Sequence, residues 1–368
     1  MATEVVNYQC PACTGPLHFA GESGKLECEY CGSSFEVSQI EELYAKKEEY
    51  AVLEAEQEKE EAGEWDASQI GEDWGEDADK MRAYSCPSCG AQLICDETTA
   101  AASCPYCGNP TVVPAQFSGA LRPDYVIPFK ISKETAIESL KAHYKGKFLL
   151  PKAFTSEQQL QKIQGIYVPF WLFDGEASGS CRFHATRTHT RSTSKEIITV
   201  TEHFQVYRSG TMGFEKVPVD ASTKMPDGHM DAIEPYDYQE LKPFSTAYLP
   251  GFLADKYDVQ VEDCRDRADE RCANSLAQAL EDTVTMYNTH ILEHQNIRVK
   301  RGKVHYALLP VWLLHVSWKD KGYLFTVNGQ SGRLVGELPI SKERLIGLFL
   351  SVFAGIGAIG TLLVQLLG

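Results

Sequence analysis

Eight cysteines in four Cys-x-x-Cys pairs are the residues of this 368-residue chain best suited to chemistry. Cys10-Pro11-Ala12-Cys13 is followed, fourteen residues on, by Cys28-Glu29-Tyr30-Cys31-Gly32. Cys86-Pro87-Ser88-Cys89-Gly90 is followed, after the same fourteen residues, by Cys104-Pro105-Tyr106-Cys107-Gly108. The two sets align without a gap at an offset of 76 residues, so Tyr8 matches Tyr84, Leu17 matches Leu93 and Tyr30 matches Tyr106. A Cys-x-x-Cys turn points two sulfurs out of one tight knuckle. Two facing knuckles place four thiolates at the corners of a tetrahedron, the geometry of a structural zinc site with Zn–S bonds of about 2.3 Å. Four sulfurs fill that shell and leave no position for a water. Segments of this size bury too little to fold alone, so the metal supplies the folding energy. The spacing predicts two structural zinc ions, one on Cys10, Cys13, Cys28 and Cys31 and one on Cys86, Cys89, Cys104 and Cys107. Iron in a rubredoxin-like site is the alternative that the ligand type leaves open.

Several elements must hold these knuckles. The pattern predicts a first ribbon over 1–39, an acidic helix and linker over 40–82, a second ribbon over 83–114, and an α+β body over 115–340. From about Ile40 to Ala62 the chain is rich in Glu, Lys, Ala and Leu, strong helix formers with partial heptad spacing. Gly63 to Asp79 reads as an acidic linker that contains Trp65 and Trp74, side chains that dock on the body or on a partner. In the body, Ser132 caps a helix whose Ile137, Leu140 and Tyr144 share a face. Ile166 to Phe173 and Ile197 to Tyr207 read as strands, Val217 to Pro243 as a long loop, and Val261 to Leu292 as one long amphipathic helix. Val304 to Trp318, Gly322 to Val327 and Arg333 to Leu338 read as antiparallel strands, with Asn328-Gly329-Gln330-Ser331-Gly332 as a turn. Tyr167-Val168-Pro169-Phe170-Trp171-Leu172 echoes the segment from Tyr306 to Leu313, as two related units of the body would.

Charge narrows the partners. The formal net charge is -16, and residues 41–80, with 16 acidic and 4 basic side chains, account for -12 of it. The first ribbon carries one Lys against five Glu, and the second has Arg82 against Asp96 and Glu97. Zinc on four thiolates adds about -2 to each. Nucleic-acid binding is driven by Lys and Arg on phosphates, and neither ribbon has a basic stripe. Protein contact is the expectation, and a zinc-ribbon nucleic-acid-binding protein held at the membrane is the alternative, which a basic patch on the folded body would favour. The thiol usage and the absence of a signal-peptide pattern fit a reducing cytoplasm.

From Leu345 to Gly368 there are 24 residues without a charge. At helical rise that is about 36 Å, enough for a 30 Å hydrocarbon core. The expected membrane helix covers 345–367, and Arg333, Lys342 and Arg344 before it put the body in the cytoplasm. The chain then lies at the cell membrane as a single-pass, tail-anchored protein. Gly347, Ser351 and Gly355 form a small-residue stripe suited to helix packing.

No catalytic set stands out. Gly21-Glu22-Ser23-Gly24-Lys25 lacks the spacer and the following Ser or Thr of a phosphate loop. His184, His189 and His203 lie near Glu202 without ligand spacing. Asp220, Asp227, Asp231, Glu234 and Asp237 read as turn carboxylates rather than a cation loop. Cys95, Cys181, Cys264 and Cys272 read as buried thiols. The expectation is a non-enzyme with no small-molecule substrate.

Further motifs run through the body: Arg122-Pro123-Asp124 to Pro128-Phe129, Ile166-Tyr167-Val168-Pro169-Phe170-Trp171, Val217-Pro218-Val219-Asp220, Glu234-Pro235-Tyr236-Asp237-Tyr238, Leu249-Pro250-Gly251-Phe252 and Asn328-Gly329-Gln330-Ser331-Gly332. With the Cys-Pro-x-Cys-Gly ribbons, they make nearly the whole chain resemble a bacterial family of TFIIB-type zinc-ribbon membrane proteins, some labelled primosomal protein N′-like. That helicase label implies an ATP site, which has no phosphate loop here. The resemblance also implies association with phage-shock protein A-like or flotillin-like proteins in membrane-stress assemblies, and so an adaptor or scaffold that recruits cytoplasmic proteins.

Overall fold

The computed structural model describes residues 8, 10–12, 15–21, 23–43, 63–68, 70–71, 74–99, 103–110, 112–115, 121–193 and 196–367. The chain divides into two compact units, Met1–Gly63 and Glu64–Gly368. Most of the expected acidic helix, and with it the coiled-coil possibility, lies on 44–62, outside the described residues.

The first unit is a three-stranded antiparallel sheet of β1 (Leu17–Ala20), β2 (Lys25–Cys28) and β3 (Ser34–Phe35), followed by a helical turn over 37–43. Its small core holds Cys10, Leu17, Leu26, Cys28 and Ile40. The Gly21–Lys25 segment is the β1–β2 turn, closed by Gly24 N donating to Ala20 O at 2.8 Å.

The second unit is an α+β body built on one large sheet. Its strands are β4 (Met81–Ser85), β5 (Gln92–Asp96), β6 (Val113–Ala115), β7 (Tyr125–Val126), β8 (Gln164–Ser192), β9 (Ile197–Asp220), β10 (Lys242–Pro243), β11 (Leu253–Asp255), β12 (Thr289–Trp318), β13 (Lys321–Asn328) and β14 (Leu334–Gly336). They run in the order β10-β7-β12-β8-β11-β5-β4-β6, with β9 beside β8, and β13 and β14 continuing from β12. The segments Tyr167–Leu172 and His305–Pro310 pair antiparallel at the centre, with Tyr167 opposite Pro310 and Leu172 opposite His305. Both faces of this centre are buried, which explains its nearly continuous apolar run.

β8, β9 and β12 are far longer than the strands expected from periodicity. Twenty-nine residues of β8 trace a path of about 95 Å at strand rise. Beyond the core these three strands form an antiparallel arm. Register shifts at Phe173/Gly175 and Arg301/Val304 mark where it leaves the core. Glycine is required there, since a Cβ on Gly302 would stand 2.3 Å from Asp174 O.

Helices cover the sheet. The first, α1 (Lys133–Tyr144), is capped as expected, Thr135 N donating to Ser132 Oγ at 3.3 Å. With α2 (Lys152–Thr155) and α3 (Glu157–Leu160) it closes a core over Trp312, Leu314, Phe325 and Val327. The expected loop 217–243 instead contains the end of β9 and α4 (Asp227–Ile233), whose Met230 and Ile233 are buried. The long helix α5 (Val261–Glu281) ends eleven residues sooner than its apolar pattern suggests. Thr283 Oγ1 donates back to Leu280 O at 2.6 Å, and the chain then turns into β12. Ile291 continues the helical spacing by coincidence and lies in a strand.

In residues 64–80 the two tryptophans dock on the body, one of the two outcomes expected of them. Trp65 is buried against Phe173, ring centroids 4.8 Å apart, and Trp74 against Phe244 at 5.6 Å. The two indoles outweigh the acidity around them and fasten this stretch to the body. The second cysteine segment likewise belongs to the body, because β5 pairs with β11. The last helix, α6 (Lys342–Leu367), is exposed along its described side chains except for the half-buried Arg344, and its stretch Lys342–Gly360 is long and apolar enough to cross a membrane.

Candidate metal centres

The described cysteines sit in turns closed by the same backbone hydrogen bond. In each, the first cysteine's N–H donates to the carbonyl five residues on: Cys10 to Gly15 at 2.7 Å, and Cys28 to Ser33, Cys86 to Ala91 and Cys104 to Asn109, each at 2.9 Å. In three of them a glycine N–H returns to the first cysteine's carbonyl, Gly32 to Cys28 and Gly108 to Cys104 at 2.9 Å and Gly90 to Cys86 at 2.8 Å. Those glycines have φ of 72°, 72° and 75°, a backbone region that side chains resist.

In the second unit the sulfurs of Cys86, Cys89, Cys104 and Cys107 all lie within 4.8 Å of one another. Cys86 Sγ is 3.6 Å from Cys107 Sγ, and Cys89 Sγ is 3.6 Å from Cys104 Sγ. Four sulfurs at tetrahedral angles about 2.3 Å from one ion would be about 3.8 Å apart. The spacing therefore fits a single metal ion and is far too wide for S–S bonds. In the first unit Cys10, Cys28 and Cys31 converge in the same way, with Cys10 and Cys31 sulfurs 3.6 Å apart. Cys13, the fourth expected ligand, lies outside the described residues. Both clusters can hold a metal ion.

Thiols must ionise to bind metal. Burial opposes that at Cys86, but the N–H groups of Cys89 and Ser88 and the neighbouring thiols outweigh it and bring its pKa to about 7. Burial pushes Cys89 and Cys104 up. A cation at the centre would offset that cost by stabilising all four thiolates together.

The two centres differ in surroundings. Around the second, Cys86, Cys104, Ala91, Leu93 and Tyr106 share one core with Ile166, Val168 and Leu253 of the body. Its knuckle also meets β12: a Cβ on Gly108 would reach His315 Nδ1 at 2.7 Å. In the first unit, the positions equivalent to Cys95 and Tyr106 are Phe19, 62% exposed, and Tyr30, 78% exposed. The repeat alignment pairs Tyr30 with Tyr106 but carries no sign of their opposite exposure, because β11, which pairs with β5 beside the second centre, comes from about 150 residues downstream.

The remaining candidates are placed as follows. Cys95 donates to Thr99 O at 3.1 Å, and burial pushes it to about 11. Cys264 and Cys272 lie buried on α5, pushed up by burial to about 12 and about 11, and Cys181 of the arm is buried in the same cluster as Cys272. His184 and His203 touch at 3.0 Å on the exposed arm, and His189 stands 3.7 Å from Glu202. The acidic residues of 220–234 meet two arginines of α5 that the sequence reading did not link to them. Arg267 bonds Asp220 at 2.7 Å and Asp231 at 2.6 Å, and Arg271 bonds Asp231 at 3.0 Å and Glu234 at 2.5 Å. Asp237 separately caps a 3-10 turn through Gln239 N.

No family model matches the chain, and no solved structure matches it. It is similar to the uncharacterized protein YdjG of Bacillus subtilis (strain 168), with 33% identity over 351 residues that cover 95% of each chain. At that identity and coverage, the chain belongs to the same family as YdjG.

Proposed function

We propose that this protein is a membrane-anchored, non-enzymatic zinc-ribbon adaptor. Each cysteine set holds one structural zinc ion, and α6 fixes the chain in the membrane with Lys342 and Arg344 on the cytoplasmic side. The closed four-sulfur shell supports a structural rather than a catalytic metal. The order of elements supports two related units in the body. β7, α1, β8 and β9 parallel β11, α5, β12 and β13, and each unit's short strand runs parallel to the other's long one, β7 on β12 and β11 on β8. The family resemblance supports recruitment of phage-shock protein A-like or flotillin-like proteins in envelope stress.

One observation carries the adaptor reading: the first ribbon exposes Phe19 and Tyr30 where its repeat buries Cys95 and Tyr106 under the body. The same scaffold thus serves once as an internal support and once as an open module. Its acidity, one Lys against five Glu in residues 1–40, favours a protein partner over phosphate. A photo-crosslinking residue in place of Tyr30, in the full chain in its own membrane, should give one dominant protein adduct. Tyr30→Ala should remove the association by at least about tenfold, a loss of the size expected for a buried aromatic anchor. A Tyr30→Ala chain that retains its partner fully would contradict the reading.

A further inference from the structure

We propose that the base of the body, around the start of α6, is a docking surface for anionic lipid headgroups, which holds the body in a fixed orientation against the membrane. The inference rests on the membrane reading of α6 and adds a second contact to it.

Three segments meet at this base. Ser341 N donates to Leu149 O at 3.0 Å, and Arg344 donates to Phe148 O at 3.1 Å and also to Leu150 O. Lys319, at the β12–β13 turn, pairs with Glu343 at 2.9 Å and lies 4.9 Å over the Trp318 ring. The loop after α1, the β12–β13 turn and the root of α6 are therefore one contiguous surface.

Its charge runs against that of the protein. Residues 145–152 carry three lysines, all exposed, and no acidic residue. Lys319 and Lys321 flank Asp320, and Lys342 and Arg344 flank Glu343. Seven basic against two acidic residues leave +5 on this base, in a chain of net -16. Phe148 is 64% exposed and Ile340 59% exposed among these charges.

Depth decides the partner. Arg344 is the last charge before the uncharged span, so it sits at the headgroup layer, roughly 6 Å thick on each side of the hydrocarbon. The carbonyls of Phe148 and Leu150, bonded to Arg344, are held at that same level. Lysines at headgroup depth gain from anionic lipid within a Debye length. An exposed aromatic beside them suits the membrane–water interface.

The test is hydrogen exchange on the full chain in nanodiscs, one set of phosphatidylcholine and one with phosphatidylglycerol added. Amides of 145–152 and 318–321 should exchange at least about fivefold more slowly in the anionic discs. High salt should remove the difference. So should K145E/K147E/K321E, and a K145Q/K147Q/K321Q chain should lose most of it should the charge reversal not fold. Equal exchange in both lipids, or slowing that survives these substitutions, overturns the docking surface and leaves the anchor standing. A chain that does not enter nanodiscs at all overturns the membrane reading beneath it.

Discussion

Asp220 has almost no exposed side-chain surface, yet its carboxylate is tolerated because Arg267 bonds it at 2.7 Å. The same guanidinium holds Asp231 at 2.6 Å, and Arg271 extends the network to Glu234. Removing one partner of a buried pair leaves a charge without compensation and costs about 3 kcal/mol or more. Arg267→Ala is expected to lower body stability by about 3 kcal/mol in urea denaturation. A loss below about 1 kcal/mol would mean that the carboxylates find other compensation. Turn chemistry in the sequence could mark these carboxylates as local features, and their partners 36 to 47 residues away had no local signal. The cysteines were legible for the opposite reason: a knuckle is local, and its spacing is the chemistry. Tyr30 and Tyr106 show the limit. Identical positions in a repeat carry no mark of which copy is buried.

At the scale of elements, short motifs are legible in the sequence and the ends of long elements are not. The Ser132 cap and the Asn328–Gly332 turn depend on a few neighbouring residues, and the structure has both. β8 and β12 exceed their expected lengths because the arm alternates polar and apolar residues with many Thr, Ser and Gly, a weaker signal than the buried centre. The apolar spacing of α5 runs on through Ile291 although the helix ends at Glu281, because such spacing does not register a turn. The second cysteine segment joins the body sheet through β11, whereas the first lies in a unit of its own. These placements give different roles to the same ligand chemistry. Cys86→Ser is expected to lower the thermal stability of the body, because the knuckles of its centre share a core with Ile166 and Val168. Cys10→Ser is expected to leave the body transition unchanged while its own unit unfolds. Calorimetry of the two variants distinguishes them, and equal effects on the main transition would contradict the assignment.

For the whole molecule, composition gave the charge and the apolar end, and the structure adds their arrangement. Acidity is concentrated in 41–80, and a basic surface gathers at the root of α6. The α+β class was legible because helical and strand periods alternate along the body. The integration of residues 64–114 into that body was not, because it depends on pairings and indole contacts with residues far along the chain. The central claim is that two closed four-sulfur centres each hold one structural zinc ion. Native mass spectrometry of the full chain, purified without tags or added metal, tests it most directly. Two zinc ions per chain are expected, lost together with the folded first unit on chelation; a chain that carries one ion or none, or that carries iron, would contradict the account.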